Sequence, residues 1–365
     1  MTFKYMEKNM NVKKIIAGAA ILLALTTSLF AKAKKADKNN KIKVVTTIFP
    51  EYDWTREIIG DNAKNVELTL LLGNGVDLHS YQPSIQDIAK ISTADIFIYV
   101  GGESDGWVKD ALKNAKNKNM KVINLLETLG DKVKAEEVKE GMQAEEEDEH
   151  EHHHHDGEHH DDDDEDHDHD HEAEEHHHHH HDDADEVEYD EHVWLSLRNA
   201  KILSAEIAAA LCEKDAANAA TYKSNLAAYT ARLDDLDAKY AAAVKAGSKK
   251  TILFGDRFPF RYLVDDYGLD YFAAFVGCSA ETEASFETVI FLAKKVDELG
   301  LNTVLKIESG DGKIARTIIQ NTKKKNAKVF TLDSIQSTTA KQAAAGTTYI
   351  KIMEANLDVL TEALK

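Results

Sequence analysis

The chain has 365 residues and a formal net charge of -21, from 65 Asp and Glu against 44 Lys and Arg. The charge is concentrated: 26 acidic residues lie between Glu145 and Glu191, where no Lys or Arg occurs, leaving 39 acidic against 44 basic residues elsewhere. A near-neutral body with no basic patch and no interleaved aromatics excludes nucleic acid as the expected partner, and two cysteines are too few for a disulfide framework.

Residues 1–33 read as a secretory signal peptide. Lys13 and Lys14 precede an apolar run over 15–30, and Ala31-Lys32-Ala33 supplies small residues at the cleavage spacing. The run is short for a membrane span, and no other apolar stretch reaches the roughly 20 residues a spanning helix needs. Export to the periplasm or another extracytoplasmic space is the expectation, with an uncleaved anchor as the alternative. No cysteine near the cleavage region argues for a lipid there.

From residue 41 onward, short β-branched runs alternate with amphipathic stretches, the pattern of α/β layers. An N-terminal α/β lobe is predicted over 41–213, with strands at 43–48, 66–72, 95–100 and 121–124. Helices are predicted at 52–59, ended by Gly60, at 84–91 after Pro83, and at 196–213. Inside this lobe, 145–186 holds almost nothing but Glu, Asp and His and cannot bury enough apolar area to order itself, so it reads as a disordered insertion. A linker helix follows over 215–246 with Asp215 as its N-cap. Its stripe of Tyr222, Leu226, Tyr229, Leu233, Leu236, Tyr240 and Val244 is uninterrupted by Gly or Pro. At 1.5 Å per residue it reaches roughly 45 Å, long enough to brace two lobes. A C-terminal α/β lobe over 249–365 resumes the alternation, with strands at 251–254, 271–275, 303–307 and 328–332. Its helices are predicted at 286–299, 313–322 and 343–364. The expected fold class is therefore α/β, two lobes joined by a long rigid helix with a cleft between them, a common place for a ligand.

Of the 18 histidines, 16 lie between His150 and His181, so the folded body contains only His79 and His192. His79 stands in Asp77-Leu78-His79-Ser80-Tyr81-Gln82-Pro83, and His192 in Tyr189-Asp190-Glu191-His192-Val193-Trp194-Leu195. Both segments lead from a strand or loop into a helix, where open α/β sheets place ligands. One such histidine is ordinarily a hydrogen-bonded structural residue; two in like contexts, with none elsewhere, point to metal ligation. The acidic tract reads either as a solvated charge run or, given its imidazoles, as a weak multivalent store for borderline metals such as zinc. Trp54, Trp107 and Trp194 read as packing residues, and Gly101-Gly102 lacks the spacing of a phosphate cradle. Cys212 and Cys278 could form one bridge or remain as two buried, unpaired thiols.

Here the chain resembles the metal-specific solute-binding proteins of bacterial ABC importers, especially the zinc-binding members. The resemblance runs from about Val44 to the C-terminus. It rests on the His79 loop, the acidic His-rich insertion between the two histidine motifs, Glu191-His192-Val193-Trp194-Leu195 and the long helix. Tyr267-Gly268-Leu269, Ser279-Ala280-Glu281-Thr282-Glu283, Ile307-Glu308 and Leu332-Asp333-Ser334 extend it. It implies a metal held between two lobes by histidines and a carboxylate, with His79 and His192 as the first two ligands and Asp333 as the carboxylate. It also implies a monomer that binds a metal ion and meets the membrane permease of an ABC importer.

The third histidine position departs from the family pattern. Where members carry His-Asp-Ala-Phe, this chain reads Phe254-Gly255-Asp256-Arg257-Phe258-Pro259-Phe260, and the ungapped register puts Arg257, a permanent cation, at the ligand position. Asp256 is the nearest competent group and completes the expected set His79, His192, Asp256 and Asp333, with Glu308, Glu281 or a loop histidine as substitutes. Asp256 could instead cap the following helix and pair with Arg257 or Arg261. Two imidazoles and two carboxylates suit Zn2+; Mn2+ or Fe2+ would fit the same shell, and the tract favours zinc. Rival readings are a zinc hydrolase, for which no HExxH motif is present, and a metal-dependent surface adhesin. With unperturbed histidines near pKa 6.5, affinity should fall as pH drops through that range.

Overall fold

Four short runs rich in β-branched and aromatic residues pair side by side into a parallel sheet: β1 (Ile42–Thr46), β2 (Val66–Leu70), β3 (Ile96–Tyr99) and β4 (Lys121–Asn124). Their order is β2-β1-β3-β4, with Val44 opposite both Leu68 and Ile96. The sequence of β3, Ile-Phe-Ile-Tyr, is buried along nearly its whole length, as a strand covered on both faces requires. The computed structural model describes residues 41–143, 188–279 and 281–365. The expected signal peptide and the acidic His-rich insertion lie outside the described residues.

A second set of parallel strands follows the long helix. β5 (Thr251–Leu253) pairs with β6 (Asp270–Phe272), and β7 (Thr303–Lys306) pairs with β8 (Lys328–Thr331). A parallel bridge from Phe254 to Leu305, with Gly255 N donating to Leu305 O at 2.9 Å, joins the two pairs. The resulting order, β6-β5-β7-β8, repeats that of the first sheet. Two parallel sheets built to one plan thus precede and follow the helix Ala219–Ala246 along the chain.

That helix has 28 residues, or ~42 Å. It buries Tyr222, Tyr229, Leu233, Leu236, Tyr240 and Val244, while Leu226 is only partly covered. The buried stripe packs on helices Phe49–Ile59, Leu197–Lys214 and Tyr349–Ala363, so elements from both halves share one core. Polar bonds add register to that packing: Asn225 Nδ2 donates to Ile58 O at 2.9 Å, and Tyr240 OH to Met353 O at 2.6 Å. Direct braces join helix Phe49–Ile59 to the segment leading into helix Tyr349–Ala363. Tyr349 N donates to Asp53 Oδ2 at 2.6 Å, while Arg56 reaches the carbonyls of Ala343 and Thr347 at 3.0 and 2.9 Å.

Several boundaries differ from the sequence reading for local reasons. Helix Phe49–Ile59 begins earlier because Pro50 sits in its first turn, where the missing N–H costs nothing. Asp215 does not cap the long helix; a 3-10 turn, Ala216–Asn218, intervenes, and the Asp215 carboxylate accepts from Asn218 Nδ2 at 2.6 Å and Tyr222 OH at 2.7 Å. The closing helix is two pieces, Ala340–Ala344 and Tyr349–Ala363, parted at Gly346 with φ 95 and restarted by the Thr348 cap. Trp54 and Trp194 are fully buried packing residues.

Candidate metal centre

The site is built on loops at the C-terminal ends of β2 and β3 and on the segment ahead of helix Leu197–Lys214. His79 is the middle residue of a 3-10 turn, Leu78–Ser80, whose N-cap Asp77 accepts from His79 N at 3.1 Å. After β3 the chain turns at Gly101 and Gly102, both with positive φ. Asp105 anchors the turn by accepting from Val100 N at 2.9 Å and Gly101 N at 3.0 Å. Gly102 is required sterically as well, since a Cβ there would lie 2.3 Å from Glu191 Oε1. The turn delivers Ser104, whose backbone N–H donates to Glu191 Oε1 at 2.9 Å.

The two body histidines meet. Their Nε2 atoms are 3.1 Å apart and their ring centroids 5.1 Å apart. His192 is fully buried. Its Nδ1 lies 2.9 Å from Asp190 Oδ1, which also accepts from His192 N at 2.8 Å. A carboxylate at Nδ1 keeps the proton there and leaves the Nε2 lone pair facing His79. His79 Nδ1 contacts Ser104 Oγ at 2.8 Å and lies 3.6 Å from Glu191 Oε2. Among the described residues that buried carboxylate oxygen has no hydrogen-bond partner. Acceptors around His79 Nδ1 favour a proton on that nitrogen too. A proton left on His79 Nε2 would make the 3.1 Å contact a hydrogen bond, and a cation would displace it.

Burial, and then neighbouring His192, push the His79 pKa down to about 3, against the pull of Asp77. The shift favours the neutral, ligating form of the ring. Glu191 is raised by burial against hydrogen bonds from Ser104.

Among the described residues, the group of donor atoms brought together is His79, His192 and Cys278, all within 4.8 Å of one another. Asp256 stands outside it. Asp256 Oδ1 accepts from Arg257 N at 3.0 Å and Oδ2 from Ile307 N at 3.2 Å, so the carboxylate is spent on backbone N–H groups. Asp333 is outside the group as well: Asp333 Oδ1 accepts from Ile335 N at 2.7 Å, and burial and then Glu308 push its pKa up to about 7. Glu308 accepts from Ser334 N at 2.7 Å and from Ser337 Oγ at 3.0 Å, and it too lies outside the group. Glu281 lines a different cleft with Asp256 and Arg257, and the loop histidines lie outside the described residues. Cys212 and Cys278 are both free thiols. Arg257 is ion-paired with Asp77 and donates to Ser279 O at 3.4 Å.

Because Asp190 fixes the His192 tautomer, an Asp190→Asn variant should weaken metal binding by roughly 10–100-fold with little change in fold. Competition against a metallochromic chelator measures this; unchanged affinity would remove Asp190 from the orienting role.

Residues 44–363 match the family described as ZnuA, zinc-uptake complex component A periplasmic. Among curated relatives, the zinc-binding protein AdcA of Streptococcus pyogenes serotype M3 is 28% identical over 348 residues, covering 95% of this chain and 61% of the relative. The chain thus spans less than two thirds of that relative's length. The high-affinity zinc uptake system protein ZnuA of Bacillus subtilis is 28% identical over 350 residues, covering 96% of both. Two crystal structures share the fold over 89% of this chain and 99% of theirs. The Zn(II)-bound ZnuA-like domain of Streptococcus pneumoniae AdcA is 26% identical with a TM-score of 0.62, and the metal-dependent lipoprotein YcdH of Bacillus subtilis is 25% identical with a TM-score of 0.64.

Proposed function

The chain belongs to the ZnuA family of zinc-uptake components, and from that premise we propose that it captures a zinc ion outside the cytoplasmic membrane and hands it to the permease of an ABC importer. One observation carries the reading: the only two histidines among the described residues converge Nε2 to Nε2 at 3.1 Å from separate loops. Nitrogen ligands of a tetrahedral zinc at ~2.0–2.1 Å stand ~3.3 Å apart, close to that spacing. His192 is buried and His79 partly buried, and both are held from behind at Nδ1, so ordering them costs little when the ion arrives. The named activity of the Bacillus subtilis relative supports zinc as the ion, and paired imidazoles suit zinc better than the oxygen-preferring manganese. Capture requires no bond making, only a shell organised in advance.

Titrating the purified chain with zinc against a chromophoric chelator should give one tight equivalent per chain, and the absence of any tight equivalent would sink the proposal. A strain lacking the protein should stop growing under zinc chelation and recover with added zinc. Normal growth with altered adhesion would favour the surface-adhesin rival. The tract from 145 to 186 serves in this reading as a weak collector that raises zinc near the cleft. Removing it should lower total bound zinc while one tight equivalent remains.

A further inference from the structure

The stretch Phe254–Phe260, where a third ligand is expected, offers the site nothing. Arg257 is turned onto Asp77 and the Ser279 carbonyl, and a guanidinium cannot give up its proton to bind metal. Asp256 is committed to the backbone of Arg257 and Ile307. The segment that does reach the imidazoles is the one after β6. Phe275 bridges Arg257, and Cys278 N donates to Glu136 Oε1 at 3.1 Å, fixing both ends of a short turn. Gly277 lets that turn lie against the site: a Cβ there would stand 2.9 Å from Phe258 O and 3.1 Å from His192 Cε1. The next residue is Cys278, with Sγ within 4.8 Å of the donor nitrogens of both His79 and His192. It is partly buried, in no disulfide, and faces a cleft that His79, Glu103, Ser104, Glu136 and Glu191 also line. A fully buried imidazole aimed into the same spot points to a ligand independently of the thiol.

On the reading that the two imidazoles hold a divalent ion, we propose that Cys278 is the third ligand, binding as a thiolate and giving a His2Cys shell. Binding transfers the thiol proton to solvent and forms a metal–sulfur bond of ~2.3 Å beside two metal–nitrogen bonds of ~2.0–2.1 Å. In a tetrahedral shell the sulfur and nitrogen donors stand ~3.5 Å apart, so the turn at Gly277 needs only a small inward movement. The thiolate also explains how an arginine is tolerated where a neutral imidazole would sit: Asp77 neutralises the guanidinium, and the thiolate adds an anion beside the ion. A soft donor biases the shell toward zinc, cadmium and copper(I) and away from manganese.

The test uses the full chain and cobalt(II) as a spectroscopic substitute for zinc. Up to one equivalent, the wild type should develop the intense near-ultraviolet sulfur-to-cobalt charge-transfer band. The acidic tract contains no cysteine, so cobalt bound there does not contribute. Cys278→Ser should lose the band and weaken zinc binding by roughly 100-fold, more than loss of an orienting partner alone. Cys278→His should restore most of the affinity without the band, whereas a residue needed only for packing would not be rescued this way. A tight cobalt equivalent with no charge-transfer band, together with unchanged zinc affinity in Cys278→Ser, overturns the thiolate ligand and leaves the zinc-capture reading standing. If the wild type binds neither cobalt nor zinc tightly, both fall. The wild-type spectrum decides the question even where a variant folds poorly.

Discussion

Replacing His192 by alanine should abolish tight zinc binding, weakening it by at least ~100-fold, because a direct ligand contributes more than the 10–100-fold of an orienting partner. His192 is fully buried with its Nε2 3.1 Å from His79 Nε2, and no third histidine stands among the described residues to take its place. His79→Ala should behave alike. Thermal melts give a second readout. Zinc at 100 times its Kd should stabilise the wild type by ~2.7 kcal/mol, while both variants should melt at the same temperature with and without zinc. Asp256→Ala is the contrasting control: zinc affinity should be unchanged while stability drops, since that carboxylate holds Arg257 N and Ile307 N. Wild-type affinity in His192→Ala, or lost affinity in Asp256→Ala, would overturn the arrangement of the site.

Glu51→Gln should make the protein more stable at pH 8 and flatten its pH dependence. Glu51 is fully buried, and burial, then Asp105, push its pKa from 4.5 up to about 8. The sign follows from which state releases the proton first. Between about 4.5 and about 8 the unfolded chain has ionised this carboxyl while the folded chain still holds the proton. The stabilisation is complete below the lower value and is lost as pH rises through the window. The loss is on the order of 4 kcal/mol at about 1.4 kcal/mol per tenfold change. Glutamine keeps an oxygen for Thr47 N, now bonded at 2.8 Å, and cannot ionise. The melting temperatures of variant and wild type should coincide near pH 4.5 and separate by several degrees at pH 8. A constant separation across the range would show that Glu51 does not titrate on unfolding.

Much of this architecture was legible because it rests on strong local signals. β1, β3 and β7 are short runs rich in β-branched and other apolar residues, and the long helix shows its stripe without a break. His79 and His192 stood out through scarcity, since every other histidine lies in the acidic tract. Cys278 did not stand out: Gly277-Cys278-Ser279 carries no ligand spacing, and two cysteines pose a question of pairing before one of coordination. A signal was available in combination, because an arginine at the third histidine position leaves a vacancy and a cysteine follows in the next loop. Asp256 lies apart from the grouped donors for a geometric reason. Successive side chains leaving a strand point to opposite sides, so being one residue from the ligand position turned its carboxylate toward Ile307 N. The break at Gly346 and the 3-10 turn after Asp215 come from local turn and capping bonds that hydrophobic periodicity does not encode.

The braces between the two halves bear on how an ion could leave. Asp53 grips the start of helix Tyr349–Ala363, Arg56 spans to Ala343 and Thr347, and the tyrosine-studded helix Ala219–Ala246 is pinned along its length. Such a frame resists being prised apart like a clamshell. Unloading should then proceed by stepwise exchange of donors at the rim, with the glycine-bearing turns yielding first, so the dwell time of the cargo is governed by loop mobility rather than by hinge stiffness.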